Sequence, residues 1–109
     1  MKRGEVWTLA GGLYYAGKPR PALIVQDDRF DRTESITVCP FTTDATDAAV
    51  LRPLIDATEQ NGLKTSCRLM IDKIVTVPKD KLGQRIGRLD ARAIARVEQS
   101  IMIFFGLVD

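Results

Sequence analysis

The stretch from residue 20 to residue 42, RPALIVQDDRFDRTESITVCPFT, decides the fold. Residues 20–26 are mostly apolar and predict a central strand buried on both faces, with Pro21 near its start, where a strand tolerates a proline. Residues 27–35 are polar and charged, and residues 36–41 form a second apolar run that begins with β-branched side chains typical of a strand. The two runs predict a β-hairpin.

The hairpin makes a prediction about side chains at one end of the sheet. If the two strands pair symmetrically about Asp31, Arg20 lies opposite Thr42, with Cβ atoms about 4.5 to 5.5 Å apart. A guanidinium and a hydroxyl at one sheet end suit a phosphate group, since both donate hydrogen bonds to its oxygens. A slip of one residue would bring in Thr43 instead. Taken alone, the pattern also fits a solvated arginine and an ordinary threonine at a strand end.

The other strands are predicted from weaker signals. Residues 4–9 alternate polar and apolar side chains and predict a first strand, followed by a glycine-rich loop over residues 10–19. Residues 50–55 predict a short edge strand, and Asn61-Gly62 predicts a turn. Residues 67–77 are predicted to form the longest strand, with a bend at Asp72-Lys73.

Residues 90–105 predict one long amphipathic helix with Asp90 as its N-cap. Residues 101–105 are apolar almost without interruption, so we expect this end to be buried against the sheet or a second subunit. The elements add up to a mainly β (α+β) fold. We expect a small, strongly bent antiparallel sheet or barrel closed by a C-terminal helix, in a single domain over residues 1–109.

The composition limits the possible chemistry. The 109 residues include no histidine, which excludes imidazole acid–base pairs, Ser-His-Asp and Cys-His nucleophile systems, and histidine-containing metal sites. Sixteen Lys and Arg against 14 Asp and Glu leave a formal net charge of +2, too small to indicate bulk nucleic-acid affinity. Catalysis would have to use arginine, lysine, carboxylates, hydroxyls or thiols.

The two cysteines and the N-terminus point to a reducing compartment. Cys39 and Cys67 each lie in an apolar run and lack the close spacing of a metal pair, so we interpret them as buried small hydrophobic residues, although spacing alone leaves a disulfide open. The first residues, MKRGE, contain no apolar signal core, and no apolar stretch approaches the roughly 18 residues of a membrane span. We expect a cytoplasmic protein.

Several segments together resemble one known family. These are residues 2–7 (KRGEVW), residues 17–26 (GKPRPALIVQ), the strand end PFTT at 40–43, NGLK at 61–64 and DKI at 72–74. They resemble the MazF/PemK (Kid) toxins of type II toxin–antitoxin systems, from about residue 2 to the C-terminal helix. The resemblance implies an SH3-like barrel, a homodimer, and an endoribonuclease that cuts single-stranded RNA, chiefly mRNA, with no cofactor or metal. It also implies a cognate antitoxin whose acidic, disordered C-terminal tail covers the RNA site.

The resemblance also implies roles for individual residues. The family's catalytic arginine corresponds to Arg20, and its catalytic threonine or serine corresponds to Thr42, in agreement with the hairpin register. Some members carry a further arginine two residues before the acidic position matched by Asp72, and others carry one three residues after it. Here those positions are Met70 and Val75, so the resemblance implies that Arg20 supplies the electrostatic stabilisation of the phosphate.

RNA recognition is expected to involve further residues around this pair. Tyr14 and Tyr15 in the first loop either stack on splayed bases or cover the core. The residues predicted to bind RNA are Lys18, Thr43, Tyr15, Lys73 and Asp72. RNA supplies its own nucleophile, the 2′-hydroxyl, so the expected products are a 2′,3′-cyclic phosphate and a 5′-hydroxyl.

Two other functions remain open from the sequence. CcdB-type toxins share the implied barrel but poison DNA gyrase by binding, using an apolar C-terminus that carries a tryptophan, whereas the single tryptophan here is Trp7. An SH3-like binding module without activity is the third candidate. A set of arginines at near-helical spacing predicts either a basic stripe for RNA or antitoxin, or simply a solvated face: Arg85, Arg88, Arg92 and Arg96.

Overall fold

A computed structural model of the chain describes residues 1–11, 18–46 and 48–109. These residues contain seven strands, β1 (Glu5–Leu9), β2 (Arg20–Ile24), β3 (Ser35–Thr42), β4 (Leu54–Ile55), β5 (Cys67–Leu69), β6 (Val75–Pro78) and β7 (Leu82–Arg88). One α-helix, α1 (Ala91–Phe104), follows them, and three short 3-10 turns span Asp28–Phe30, Ile71–Lys73 and Lys79–Lys81.

The strands form one curled antiparallel sheet. Their order is β4-β5-β3-β2-β1-β7, and β6 pairs with β3 beside β5. With α1 as the single C-terminal helix, this is the predicted mainly β architecture of a small bent sheet closed by a helix. The predicted edge strand is confirmed as the two-residue β4 at one end of the sheet, after the buried Pro53.

The central hairpin has the predicted register. Ala22 pairs with Pro40, Leu23 with Cys39 and Ile24 with Val38, which is the symmetric pairing about Asp31. Both faces of β2 are buried, because Leu23 packs into one hydrophobic cluster and Ala22 and Ile24 pack into another. The hairpin therefore forms the buried centre of the sheet.

Strand β3 changes partner halfway along its length. Residues 35–38 pair with β6, and Phe41 and Thr42 pair with β5. Pro40 lies between these two pairings, and its carbonyl accepts a hydrogen bond of 2.9 Å from the Met70 N–H. A proline is tolerated here because the regular ladder is interrupted at this point. This change of partner places the end of β3 beside β5, whose other edge pairs with β4 and the segment before it.

The predicted long strand over residues 67–77 is wrong as a single element. The structure divides it into β5 and β6, separated by the 3-10 turn Ile71–Lys73 at the position of the predicted bend. The side chain of Ile71 is completely buried, so an apolar residue that favours a strand in the sequence instead anchors a turn.

Strand β7 was not predicted, and it changes the interpretation of the arginine stripe. Arg85 and Arg88 lie on β7, where Arg85 forms an ion pair of 3.2 Å with Glu5, whereas Arg92 and Arg96 lie on α1. The near-helical spacing of these four residues thus spans two elements and does not form one helical face.

The cysteines behave as predicted. Cys39 and Cys67 are free thiols buried in the hydrophobic cluster that also contains Phe41, Leu69 and Val97. Burial raises the pKa of Cys39 to about 12 and that of Cys67 to about 11. Both thiols are therefore protonated at neutral pH.

Helix α1 has the predicted N-cap and extent, but its C-terminal end is exposed in the single chain. The Asp90 side chain accepts a hydrogen bond of 2.8 Å from the Ala93 N–H, which confirms the N-cap. The apolar C-terminal end is not covered by the sheet, since Met102, Phe104 and Phe105 are exposed. Across the described ranges, none of the helices has the length and apolar character that crossing a bilayer requires.

Candidate functional site

A polar pocket of about 370 Å³ opens where β2 begins and β3 ends. The lining side chains come from four segments of the chain: the start of β2, the end of β3 with the loop after it, the residue before Pro53, and the segment around the 3-10 turn at 71–73. They are Arg20, Thr42, Thr43, Asp44, Arg52, Met70 and Lys73. The residues predicted from the hairpin register thus share one pocket with side chains from distant parts of the sequence.

Arg20 and Thr42 are positioned by the backbone of the central hairpin. They are the first residue of β2 and the last residue of β3, and both are half-buried. The Thr42 hydroxyl oxygen accepts a hydrogen bond of 3.1 Å from the Asp44 N–H. Because a hydroxyl both accepts and donates, this bond fixes the oxygen and leaves the hydroxyl proton available for an acceptor in the pocket. Thr43 lines the same pocket but is exposed.

The loop after β3 places one carboxylate at the pocket. Asp44 Oδ1 accepts hydrogen bonds from the Thr46 hydroxyl at 2.8 Å and from the Thr46 N–H at 3.0 Å. The side-chain hydrogen bond and then the backbone hydrogen bond from Thr46 hold the pKa of Asp44 below its usual value. Asp44 is therefore ionised at neutral pH, and its bonds with Thr46 order the turn that begins at Thr42.

The structure adds a second arginine that sequence reasoning missed. Arg52 Nε and Nη2 donate to Asp72 Oδ1 and Oδ2 at 3.0 and 3.1 Å, a bidentate pair at the edge of the pocket. In the sequence, Arg52 is marked only by its position before Pro53 in the predicted edge strand. Its place beside the pocket becomes evident only from the pairing of β4 with β5. Asp72 does not line the pocket itself and instead holds a residue that does.

Backbone hydrogen bonds place Arg52 across from Met70. The Leu69 N–H donates to the Pro53 carbonyl at 3.1 Å, and the Ile71 N–H donates to the Leu51 carbonyl at 3.0 Å. These bonds continue the register of β4 and β5, so residues 52 and 70 are directly opposed. Arg52 therefore lies opposite position 70, where this chain carries a methionine.

The other predicted RNA-binding residues fall in different places. Lys73 lines the pocket from the 3-10 turn, and Lys18 is exposed two residues before Arg20 without lining the pocket. Tyr15, like Tyr14, lies outside the described residues.

The charges around the pocket favour an anion. Arg20, Arg52 and Lys73 contribute three positive charges against the single carboxylate of Asp44, with Asp72 behind Arg52. Arginine and threonine donors arranged around a cavity are suited to phosphate oxygens. Within the described residues, no three of the cysteine, aspartate and glutamate side chains come together in a group that could hold a metal ion.

The fold and the pocket together define a small β-sheet protein with a cationic, phosphate-compatible site at one end of its central hairpin. The chain matches the family model described as PemK-like, MazF-like toxin of type II toxin–antitoxin system over residues 2–105, and it belongs to this family. A relative from Mycolicibacterium smegmatis, named Probable endoribonuclease MazF, is 50% identical over 107 residues, covering 98% of each chain. The predicted family is confirmed.

Solved structures show the same fold. The Mycobacterium tuberculosis toxin MazF-mt6 superimposes with a TM-score of 0.80 at 24% identity, over 96% of this chain and 99% of that one. An endoribonuclease solved in complex with its cognate antitoxin, from a mycobacterial species, superimposes with a TM-score of 0.79 at 22% identity, over 100% of this chain and 98% of that one.

The alternative of a CcdB-type gyrase poison is not favoured. The family match is to PemK-like and MazF-like toxins, and the one tryptophan has a structural position in β1. Trp7 packs against the second hydrophobic cluster, and its Nε1 donates to Glu5 Oε1 at 3.0 Å. Trp7 is therefore a structural residue of β1, and it does not correspond to the C-terminal tryptophan with which CcdB-type toxins bind gyrase.

Proposed function

We propose that this toxin is an endoribonuclease that cleaves single-stranded RNA, chiefly mRNA, in the pocket between Arg20 and Thr42, acting as a single domain over residues 1–109. The observation that carries the proposal is that these two residues line one cationic pocket at the end of the central hairpin. The full-length relative named as a probable endoribonuclease supports the reaction class. Cleavage of mRNA would inhibit translation and growth, and an enzyme with this substrate acts in the cytoplasm.

The reaction follows from the chemistry of RNA and the groups in the pocket. The ribose 2′-hydroxyl loses its proton as its oxygen forms a bond to phosphorus, the bond from phosphorus to the 5′-oxygen breaks, and the leaving 5′-oxygen gains a proton, so the net reaction moves one proton from the 2′-oxygen to the 5′-oxygen. The products are a 2′,3′-cyclic phosphate and a 5′-hydroxyl. Arg20 stabilises the negative charge that builds on the phosphate, and the Thr42 hydroxyl donates to one of its oxygens. A guanidinium is a poor base, so Arg20 acts through charge and hydrogen bonding.

Substitution of Arg20 tests the proposal. We expect Arg20→Ala to reduce cleavage of a long single-stranded RNA by about 10²- to 10³-fold, the usual effect of losing one well-placed donor to a developing oxyanion. The matched control is Arg29→Ala, because Arg29 lies in the hairpin connection at the other end of β2 and β3. Circular dichroism of both variants checks the fold. A folded Arg20→Ala variant that cuts RNA at the wild-type rate would overturn the proposal.

The same assay examines the metal requirement and the competing functions. Cleavage should persist in EDTA, since the proposed chemistry uses only arginine, threonine and the substrate's own hydroxyl; loss of cleavage with chelator would identify a metal enzyme. Sequencing the cut ends gives the recognition sequence. Protein that leaves every RNA intact would fit a binding module or a gyrase poison instead.

The partners proposed for this chain are a second copy of itself and an antitoxin with an acidic, disordered C-terminal tail. A structural relative solved with its cognate antitoxin supports the second partner. A pocket lined by Arg20, Arg52 and Lys73 attracts carboxylates for the same reason that it attracts phosphates. The first check is whether a small acidic reading frame lies just upstream of this gene. We expect the protein encoded by such a frame to block RNA cleavage when added to the assay, and failure to inhibit would contradict this partner.

A further inference from the structure

The Arg52–Asp72 pair differs from an ordinary surface ion pair in its burial. The Arg52 side chain is 18% exposed and that of Asp72 is 31% exposed. The Arg29–Asp27 pair has similar geometry, but there the arginine is 79% exposed and the aspartate 47% exposed. Arg52 is thus held against the protein surface by an acidic partner, while Arg29 is mostly in solvent.

The backbone of Arg52 is fixed as firmly as its side chain. Its N–H donates to the Ala48 carbonyl at 2.6 Å, and its carbonyl accepts from Arg68 Nη1 at 2.8 Å. The side chain lines the pocket that Arg20, Thr42 and Lys73 also line. The backbone and the side chain of Arg52 are therefore both constrained, at a position where the side chain would contact an anion bound in the pocket.

The pair leaves hydrogen-bonding capacity on Arg52. A guanidinium has five N–H donors in a planar fork, and Asp72 engages the Nε and Nη2 groups, so three donors remain for other acceptors. Asp72 also fixes the plane of the fork, which reduces the conformational entropy lost when a further acceptor binds. Hydrogen bonds from the Arg52 side chain hold the pKa of Asp72 below its usual value, so the pair persists at neutral pH.

We propose that Arg52 is a second phosphate-binding residue, which contacts the RNA phosphate held by Arg20, and that Asp72 is the positioning residue that aims the Arg52 guanidinium into the pocket. This inference rests on the proposed RNA cleavage at the same site. It gives Asp72 an indirect role: it acts through Arg52 and does not touch the substrate.

The first test measures cleavage rates and uses the Arg29–Asp27 pair as a control. We expect Arg52→Ala to reduce kcat by about 10²-fold, and Arg52→Lys to recover part of that loss, because lysine keeps the charge but not the fork. Asp72→Asn should also reduce kcat, yet add little in the Arg52→Ala background, since a residue that acts only through Arg52 has nothing left to position. Arg29→Ala and Asp27→Asn should leave kcat unchanged.

The second test measures binding without cleavage. A 2′-O-methyl RNA of the cleaved sequence cannot react, and its affinity can be followed from 50 to 200 mM salt by fluorescence anisotropy. Loss of one phosphate contact lowers the slope of log K against log salt by about 0.7 for a single strand. We expect that reduction for Arg52→Ala and the wild-type slope for Arg29→Ala. Unchanged melting transitions ensure that the variants are folded.

The outcomes separate this inference from the proposed function. If wild type cuts RNA, Arg20→Ala does not, and Arg52→Ala behaves as wild type in kcat and salt slope, only the role of Arg52 is overturned. If Asp72→Ala binds RNA more tightly and cuts it faster, Asp72 competes with phosphate for Arg52, and the positioning role is overturned. If wild type cuts no RNA, the proposed function itself fails.

Discussion

At the scale of single residues, two adjacent threonines at the end of β3 have different environments. Thr42 is half-buried, and its hydroxyl oxygen is fixed by the Asp44 N–H, whereas Thr43 is exposed. The hairpin register predicted Thr42, and the structure gives a reason to prefer it over its neighbour: an oriented hydroxyl loses less entropy when it binds an acceptor.

We therefore expect Thr42→Ala to reduce kcat for RNA cleavage by about 10- to 100-fold, and Thr42→Ser to retain most of the activity because it keeps the hydroxyl. Thr43→Ala should lower kcat less than Thr42→Ala does, because Thr43 lines the pocket from an exposed position, whereas the Asp44 N–H orients the Thr42 hydroxyl. Steady-state cleavage of a short RNA containing the recognition sequence measures all three. A larger loss for Thr43→Ala than for Thr42→Ala would assign the functional hydroxyl to Thr43.

The cysteines give a prediction about pH. Burial raises the pKa of Cys39 to about 12 and of Cys67 to about 11, and the thiolate is the form that reacts with alkylating reagents. Native protein should resist iodoacetamide at pH 8, while both thiols should react in guanidinium chloride, which mass spectrometry can count. The pKa values of both thiols are higher in the folded state than in the unfolded chain, so their protonated forms add to the free energy of unfolding. This stabilisation is lost as the pH rises from about 9 through the folded-state pKa values. Rapid labelling of the native protein at pH 8 would contradict the burial of these thiols.

At the scale of elements, the sequence predicted those with regular patterns. The central hairpin and its register follow from two apolar runs with a polar connection, and α1 follows from its spacing and its aspartate N-cap. Strand β7 was missed because its sequence, LGQRIGR, has two glycines and no regular alternation, and its pairing with β1 contains register shifts. Arg52 was missed because it reaches the pocket only through the pairing of distant segments.

Gly87 in β7 is explained by close packing against another segment of the chain. A Cβ atom at Gly87 would overlap the backbone of Gln60 and Asn61, where the Arg88 N–H donates to the Gln60 carbonyl at 3.0 Å. Strand β7 therefore requires glycine here to lie against the turn over residues 58–62, whose Gly62 has a positive φ of 72°. Close backbone approach, and not strand propensity, selects this residue.

We expect Gly87→Ala to lower the free energy of unfolding by about 1 to 3 kcal/mol, since two backbone segments must separate. Gly83→Ala in the same strand is the comparison, because the added methyl group would displace only the Thr8 hydroxyl, which accepts a hydrogen bond from the Gln84 N–H, and we expect its cost to be smaller than that of Gly87→Ala. Urea denaturation provides both values. Equal effects of the two substitutions would show that the turn yields easily and that the contact is unimportant.

At the scale of the whole molecule, the C-terminal end remains uncovered in the single chain. Phe105 is 57% exposed and Leu107 is 71% exposed, next to the exposed Met102 and Phe104. The sequence predicted that this end would lie against the sheet or a second subunit, and the sheet does not cover it. A run of exposed apolar side chains of this kind is typical of an interaction site, and we propose that the second copy of the chain covers it.

This assignment predicts that Phe105→Glu shifts the protein from dimer to monomer in sedimentation experiments at micromolar concentration, because a charge would be buried in the interface. Phe30→Glu is a close control, since Phe30 is 63% exposed but lies in the connection between β2 and β3. The control should remain a dimer. Wild-type protein that sediments as a monomer, or an equal shift in the control, would contradict the assignment.

The change of partner along β3 also has a consequence for how the pocket can be switched off. Because β3 is bonded to β2 on one side and to β6 and then β5 on the other, its amide protons have few routes to exchange with solvent short of global unfolding. Thr42, the last residue of β3, is tied to this unit through its pairing with Arg68 on β5, so we expect it to stay in the site unless β3 and β5 separate. We then expect an inhibitor to act by occupying a pocket that is already formed. Release of that inhibitor should restore activity without any refolding of the site.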